Sequence, residues 1–329
     1  MRRILVTGAR GFIARHLVSH LAALGHEIVG LQHDHDPVPI EGVSRLVTAD
    51  LMDVERIAKV IAETAPAIVV HLAAGQVGVE TTGGDAPANV DLAMTERLLD
   101  AIGRSPSVRH ILFASSAAVY DRSQPMPVAE TAAIRPESAY GASKAAAEIL
   151  IRGFGHGPST ATVLRFANVV GSGERRSSVV SAVAQQIAEI EVGKRSATVR
   201  HGRLDEARDL IDVRDIARAI AGCCEFDAGG ARTYNVGTGT AVPIADVVNA
   251  LVGMAQLPVR LELDPTLVRA GPASRIALDS RALHDAVGWR AEVPLTRSLA
   301  AGLNYWRDRV RIVDRPDPRH EVHRDEGAE

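Results

Sequence analysis

The 329-residue chain has room for one large α/β domain and a smaller lobe, but not for a second enzyme. A net charge of -3 with scattered Lys and Arg excludes a nucleic-acid groove and a polybasic membrane patch, and two adjacent cysteines, Cys223 and Cys224, offer neither a disulfide framework nor a metal-ligand spacing. No apolar stretch approaches the roughly 18 residues of a membrane span, and the first apolar run is too short for a signal-peptide core, so a cytoplasmic protein is expected.

That first run, Ile4 to Val6, reads as a strand buried on both faces, and Ile13, Leu17, Leu21 and Leu24 then recur at helical spacing. Gly8 and Gly11 fall between them, with Ala14 where a third glycine would stand. Glycine there lets the backbone turn sharply and approach a pyrophosphate, whose charge is met by the free N–H groups at the helix start. Glu27 to Leu31 is the second strand, and Gln32 ends it where a dinucleotide enzyme meets the adenosine ribose. A neutral Gln does not repel a 2′-phosphate and Arg10 can supply positive charge to it, which points to NADP; Asp34 and Asp36 close by leave NAD open.

Val47 to Ala49 is a short strand that delivers Asp50 and Leu51, and Ile68 to Ala74 is a buried strand that runs out through Leu72, Ala73 and Ala74. Small residues there allow a cofactor to lie close. His71, at the end of this strand, reads as a hydrogen-bonded structural residue. A helical period opens at Asn89 and continues through Leu92, Leu98, Leu99 and Ile102. Ile111 to Tyr120 reads as the next strand, interrupted by Ser115 and Ser116 where parallel strands present their ends to ligands. Tyr140 and Lys144 then open an alanine-rich helix and, four apart, share one face. A lysine ammonium and an oxidised nicotinamide would both favour the phenolate of Tyr140 and lower its pKa from about 10, while the Ser116 hydroxyl hydrogen-bonds the substrate oxygen.

Thr7-Gly8-x-x-Gly11-Phe12-Ile13-Ala14, Ser116, Tyr140-x-x-x-Lys144, Leu164-Arg-Phe-Ala-Asn168, Arg208-Asp-Leu-Ile-Asp-Val-Arg-Asp215 and Tyr234-Asn-Val-Gly-Thr-Gly239 together resemble an extended short-chain dehydrogenase/reductase acting on nucleotide sugars, over about residues 2 to 308. Within that family the segments around Gln185 and Arg208 are most similar to GDP-6-deoxy-4-ketohexose reductases and their dehydratase relatives. The resemblance implies a doubly wound, Rossmann-like parallel sheet with a smaller C-terminal substrate lobe. Residues 1–165 would be mainly the NAD(P) domain, 166–308 mainly the lobe with segments returning to the sheet, and 309–329 a charged, mobile tail.

The resemblance also implies site residues. Ser116, Tyr140 and Lys144 would be catalytic; Gly8, Arg10, Gly11, Phe12, Ile13, Gln32, Asp50, Leu51, Leu72, Ala73, Ala74 and Lys144 would hold the dinucleotide. Ser116, Asn168, Arg208 and Arg269 would bind the nucleotide sugar, with Arg275 a further candidate in the same segment as Arg269. The 4,6-dehydratases of the family carry an acid and a base directly after the catalytic Ser or Thr, where this chain has Ala117 and Ala118, and methyl groups transfer no protons. The expected reaction is reduction of a 4-keto sugar. A 4-epimerase on retained NAD is the alternative, with a 4,6-dehydratase and a non-catalytic dinucleotide sensor behind it. No metal is expected, His320 and His323 having no third ligand. Small and apolar positions in excess on the helices from Asn89 and Tyr140 suggest a homodimer.

Overall fold

The computed structural model describes residues 1–34, 36, 38–74, 87–155, 159–174, 178–226, 229–268 and 273–313. In the N-terminal half the strands are Arg3–Thr7 (β1), Glu27–Gln32 (β2), Arg45–Thr48 (β3), Ile68–His71 (β4), His110–Ser116 (β5) and Thr160–Phe166 (β6). They are followed by Asn168–Val170 (β7), Thr198–His201 (β8), Ala207–Asp212 (β9), Ala231–Val236 (β10), Ala241–Pro243 (β11), Arg260–Leu263 (β12) and Arg275–Ile276 (β13). The helices are Phe12–Ala23 (α1), Val54–Thr64 (α2), Pro87–Gly103 (α3), Ala139–Phe154 (α4), Val179–Glu191 (α5), Val213–Glu225 (α6), Ile244–Gly253 (α7), Arg281–Val287 (α8) and Leu295–Val313 (α9).

Seven strands form one parallel sheet in the order β3-β2-β1-β4-β5-β6-β10, the doubly wound Rossmann-like arrangement. Alternation along each strand sends side chains to opposite faces. Ile4, Val6, Ile28, Val70 and Leu112 pack beneath α1 and α6 with Leu17, Leu21, Ile216 and Ile220. Leu5, Val29, Val69, Ile111 and Phe113 pack beneath α2, α3 and α4 with Ile61, Leu98, Ile102 and Ile151. Each aliphatic side chain so buried contributes about 1.5–3 kcal/mol. The chain reverses its winding between β1 and β4, and a crevice opens there beyond the carboxyl ends of the strands.

A second sheet, β11-β9-β13 with β7 also on β9, is covered by α5, α7 and α9 around Val183, Ile187, Val248, Leu251 and Leu303. β8 and β12 pair separately. Both β10 and α6 lie beyond residue 166 yet belong to the main sheet and its helical layer. Cys223 and Cys224 are buried in α6, where burial pushes the Cys223 thiol up to about 12.

The strand expected over Ile68 to Ala74 ends at His71, and further boundaries move. The strand over Ile111 to Tyr120 ends at Ser116, because the Ser116 hydroxyl accepts the Ala118 N–H at 3.2 Å and starts a 3-10 turn over Ala117–Val119. The helix α9 continues through residues 309–313 of the expected tail, because Val310 is buried against the lobe.

Candidate active site

Ser138 caps α4 by accepting the Gly141 N–H at 3.1 Å, which places Tyr140 in the first turn and Lys144 one turn later on the face toward β5. Gly141 permits the contact between that turn and the one after Ser116, since a Cβ there would collide with the Ala118 carbonyl oxygen. The side chains of Tyr140 and Ser116 are hydrogen-bonded. Lys144 is buried, its Nζ 5.8 Å from the Tyr140 ring centroid, 5.1 Å from that of Phe113 and 3.5 Å from a carboxylate oxygen of Asp91.

In the chain alone the Tyr140 pKa is not lowered in the way expected from Lys144 together with an oxidised nicotinamide. Burial, opposed by the Ser116 hydrogen bond and assisted by the Asp91 carboxylate, raises the phenol above its ordinary value. Burial in turn pulls Lys144 below the usual lysine range, against the attraction of Asp91. Asp91 escaped the sequence reading, yet a signal was available. Asp91, Thr95, Leu98 and Ile102 fall at i, i+4, i+7 and i+11, so a carboxylate sits in the stripe that α3 buries.

His71 is structural, as its position suggested. Thr7 Oγ1 accepts the Ala73 N–H at 3.1 Å and meets His71 Nδ1 at 2.8 Å; His71 Nε2 lies 3.2 Å from Thr95 Oγ1, which donates to the Asp91 carbonyl at 2.9 Å. One assignment satisfies every group, with Thr7 donating to Nδ1 and the Nε2 proton donated to Thr95. Burial, and secondarily the Lys144 charge, pushes His71 down to about 3, so the ring is neutral at any working pH. This chain ties the ends of β1 and β4 to the helix that carries Asp91.

The candidate cofactor cradle has the features that a dinucleotide needs. Helix α1 begins at Gly11 with no side-chain cap and no acid in its first turn, whereas α2, α4, α5 and α6 are capped by Asp53, Ser138, Ser178 and Asp212. Its first N–H groups and the positive end of the helix dipole are thus left for an anion, beside Phe12 and Ile13. Gly8, at φ +67°, lies so close to the end of β4 that a Cβ would stand 2.9 Å from Ala73 N and Cα. Leu72 and Ala73 therefore border the same crevice, and the exposed Ala74 follows them. Arg10 and Gln32 are brought together, Arg10 Nε donating to Gln32 Oε1 at 2.6 Å, and Arg10 also pairs with the Asp36 carboxylate at 3.3 Å. Asp50 is exposed and accepts the Met52 N–H at 2.9 Å; Leu51 is buried.

Among the substrate candidates, Asn168 is exposed at the start of β7, and Arg275 is exposed on β13 beside β9. The Arg208 guanidinium donates to the Ser274 carbonyl at 2.7 Å and hydroxyl at 2.9 Å and pairs with Glu206 at 2.8 Å. Arg269, His320 and His323 lie outside the described residues. The acids of the Arg208 to Asp215 segment serve the backbone instead. Asp209 accepts the N–H groups of Thr238, Gly239 and Leu278, and Asp215 those of Glu292 and Val293, which join β9 and α6 to three loops. Ala117 is buried and Ala118 partly so, immediately after Ser116. No group of three His, Cys, Asp or Glu side chains suits a metal ion, and no helix is long and apolar enough to cross a membrane, among the described residues.

Residues 4–237 match the NAD dependent epimerase/dehydratase family. The chain is 31% identical over 94% of its length to GDP-6-deoxy-D-mannose reductase of Pseudomonas aeruginosa, covering 99% of that protein, and 30% identical over 93% to UDP-glucose 4-epimerase of Mycolicibacterium smegmatis, again covering 99%. Its fold superposes on RMD from Pseudomonas aeruginosa complexed with NADPH with a TM-score of 0.79, at 29% identity over 94% of this chain and 100% of that one. UDP-glucose-4-epimerase from Stenotrophomonas maltophila with bound NAD gives a TM-score of 0.82, at 25% identity over 95% and 100% of the two chains. With an uncapped helix after the glycine loop and a Ser116, Tyr140 and Lys144 group on the expected fold, the chain belongs to the NAD dependent epimerase/dehydratase family, as an extended short-chain dehydrogenase/reductase.

Proposed function

We propose that the protein reduces the 4-keto group of a nucleotide-activated 6-deoxyhexose, of the GDP-4-keto-6-deoxymannose type, at the expense of NADPH. The observation that carries this reading is a Ser116, Tyr140 and Lys144 group followed by two methyl side chains, Ala117 and Ala118, instead of a second acid and base. When bound, the reduced nicotinamide supplies the hydride. Ser116 orients the carbonyl oxygen by donating a hydrogen bond to it, and Tyr140 delivers its hydroxyl proton to that oxygen as the alcohol forms. Lys144 holds the nicotinamide ribose next to Tyr140. Asn168, Arg208 and Arg269 are assigned to the nucleotide sugar, the arginines to its diphosphate. The relative named GDP-6-deoxy-D-mannose reductase supports the choice of base and sugar.

Incubation with NADPH and a panel of 4-keto-6-deoxy nucleotide sugars tests the proposal, with loss of the reduced cofactor's absorbance as the readout. Oxidation of NADPH on the GDP-linked ketone is expected. The epimerase relatives favour a second reading, in which the wild type interconverts 4-hydroxy epimers on retained NAD without added reductant, and that outcome would replace the first.

NADPH is expected to bind more tightly than NADH by about tenfold or more, since charge-assisted hydrogen bonds from Arg10 to a 2′-phosphate contribute about 1.5–3 kcal/mol. The phosphate would take the place of the Asp36 carboxylate on the Arg10 guanidinium. Fluorescence titration with both cofactors measures the ratio. Arg10→Ala is expected to bring it near unity, and tighter binding of NADH to the wild type contradicts the assignment.

We also assign a homodimer that pairs α3 and α4 with those of a second copy. These helices pack on each other, and α4 turns Ile149 and Leu150 to solvent at 68% and 36% exposure. Light scattering at micromolar concentration is expected to give twice the 34.9 kDa chain mass, and Ile149→Asp to halve it. A wild-type monomer would remove this assignment.

A further inference from the structure

Lys144 and Asp91 are 4% and 5% exposed, and the helices that carry them, α4 and α3, pack against each other on one face of the sheet. Their 3.5 Å ion pair is thus withdrawn from water, where an isolated charge would be costly and a paired one is tolerated. The groups that face Tyr140 among the described residues are few. On its own helix there is Lys144, with Glu148 one turn further on but committed to Arg165 of β6; β5 presents the Ser116 hydroxyl; β4 presents the neutral His71; and α3 presents Asp91.

We infer that Asp91 is the built-in counter-charge of Lys144, and that by cancelling the ammonium it keeps the Tyr140 hydroxyl protonated, the form that gives a proton to a carbonyl oxygen rather than the form that takes one from an alcohol. A lone ammonium beside a phenol stabilises the phenolate, but an ammonium already neutralised at ion-pair distance has little field left to do so. The Asp91 charge acts on Tyr140 in the same upward direction as burial. The site is thereby set toward reduction around neutral pH, and oxidation of the alcohol becomes favourable only as the medium turns alkaline. This inference rests on the reading of Tyr140 as the proton donor.

Asp91→Asn in the full-length chain tests it, because the amide matches the carboxylate in shape and still accepts a hydrogen bond from Lys144 while carrying no charge. The readout is the ionisation midpoint of Tyr140, followed by the ultraviolet difference absorbance of tyrosinate, with the signal of a Tyr140→Phe chain subtracted in each background. The midpoint is expected to fall by about one pH unit, the size expected for loss of one charge at an effective dielectric near 20. The alkaline limb of reductive kcat/KM should move the same way. In Lys144→Met, where the ammonium is gone and the carboxylate stays, the midpoint is expected to rise instead, so the inference stays testable if one variant fails to fold. Equal midpoints in the wild type and Asp91→Asn would overturn it. Undiminished turnover by Tyr140→Phe would instead overturn the acid role of Tyr140, while the charge comparison could still be read.

Discussion

Tyr140→Phe is expected to retain the cofactor and the fold but to lose about 10² to 10⁴-fold in kcat, the usual contribution of a positioned general acid. The ring keeps its contacts in the first turn of α4, and the substitution deletes the hydroxyl that is hydrogen-bonded to Ser116. Single-turnover loss of NADPH with a 4-keto-6-deoxy nucleotide sugar measures the effect directly, and cofactor fluorescence shows that binding is intact. Lys144→Met should differ in kind. It removes the group assigned to the nicotinamide ribose and leaves the buried Asp91 carboxylate without its ammonium, so cofactor affinity and kcat should fall together. Wild-type turnover by the Phe variant would exclude Tyr140 as the acid.

What the sequence made legible was what is local or strongly periodic. Tyr140 and Lys144 declared themselves by a spacing of four on one helix, and Gly8 and Gly11 by their place between a buried strand and an amphipathic helix. The meeting of Arg10 with Gln32 was also inferable, because the loops that follow adjacent parallel strands β1 and β2 emerge side by side. Other features depend on approach between distant segments. The need for glycine at residue 141 arises from the Ala118 carbonyl, and no local pattern announces it. Arg208 to Asp215 was recognisable as a family segment, but that Asp209 and Asp215 would accept loop N–H groups follows only from where Thr238, Leu278 and Val293 return. The fate of Asp91 lies between these cases: its place in an apolar stripe was visible, whereas its partner required the packing of α3 on α4. The direction of the Tyr140 shift reversed for the same reason, since burial and the Asp91 charge are tertiary facts.

The largest effect on stability is expected from breaking the ion pair of Glu148 and Arg165, which are 1% and 2% exposed. Arg165 grips the carboxylate with two bonds, Nε to Oε1 at 2.9 Å and an Nη2 bond to Oε2 at 2.7 Å, and Ser115 donates to the same Oε1 at 2.5 Å. Its other arm donates to the Tyr120 hydroxyl at 2.8 Å, which donates onward to Asn235 at 2.7 Å, so β5, α4, β6 and β10 are joined in one buried network. Glu148 lies one turn after Lys144 and Ser115 immediately precedes Ser116; the network therefore holds both sides of the proposed catalytic group in register. Glu148→Ala would leave the guanidinium buried and uncompensated, at a cost of about 3–5 kcal/mol, against total stabilities of about 5–15 kcal/mol for folded domains. Urea unfolding of the single variants and of the double variant Glu148→Leu with Arg165→Met separates the pair's coupling from the loss of either partner. The double variant is expected to be more stable than Glu148→Ala, since it buries no orphaned charge, yet to turn over more slowly than the wild type under conditions where both are folded. A cost below about 1 kcal/mol for Glu148→Ala would mean that water reaches Arg165, as at an exposed ion pair, and that the register of α4 on the sheet is held by packing alone.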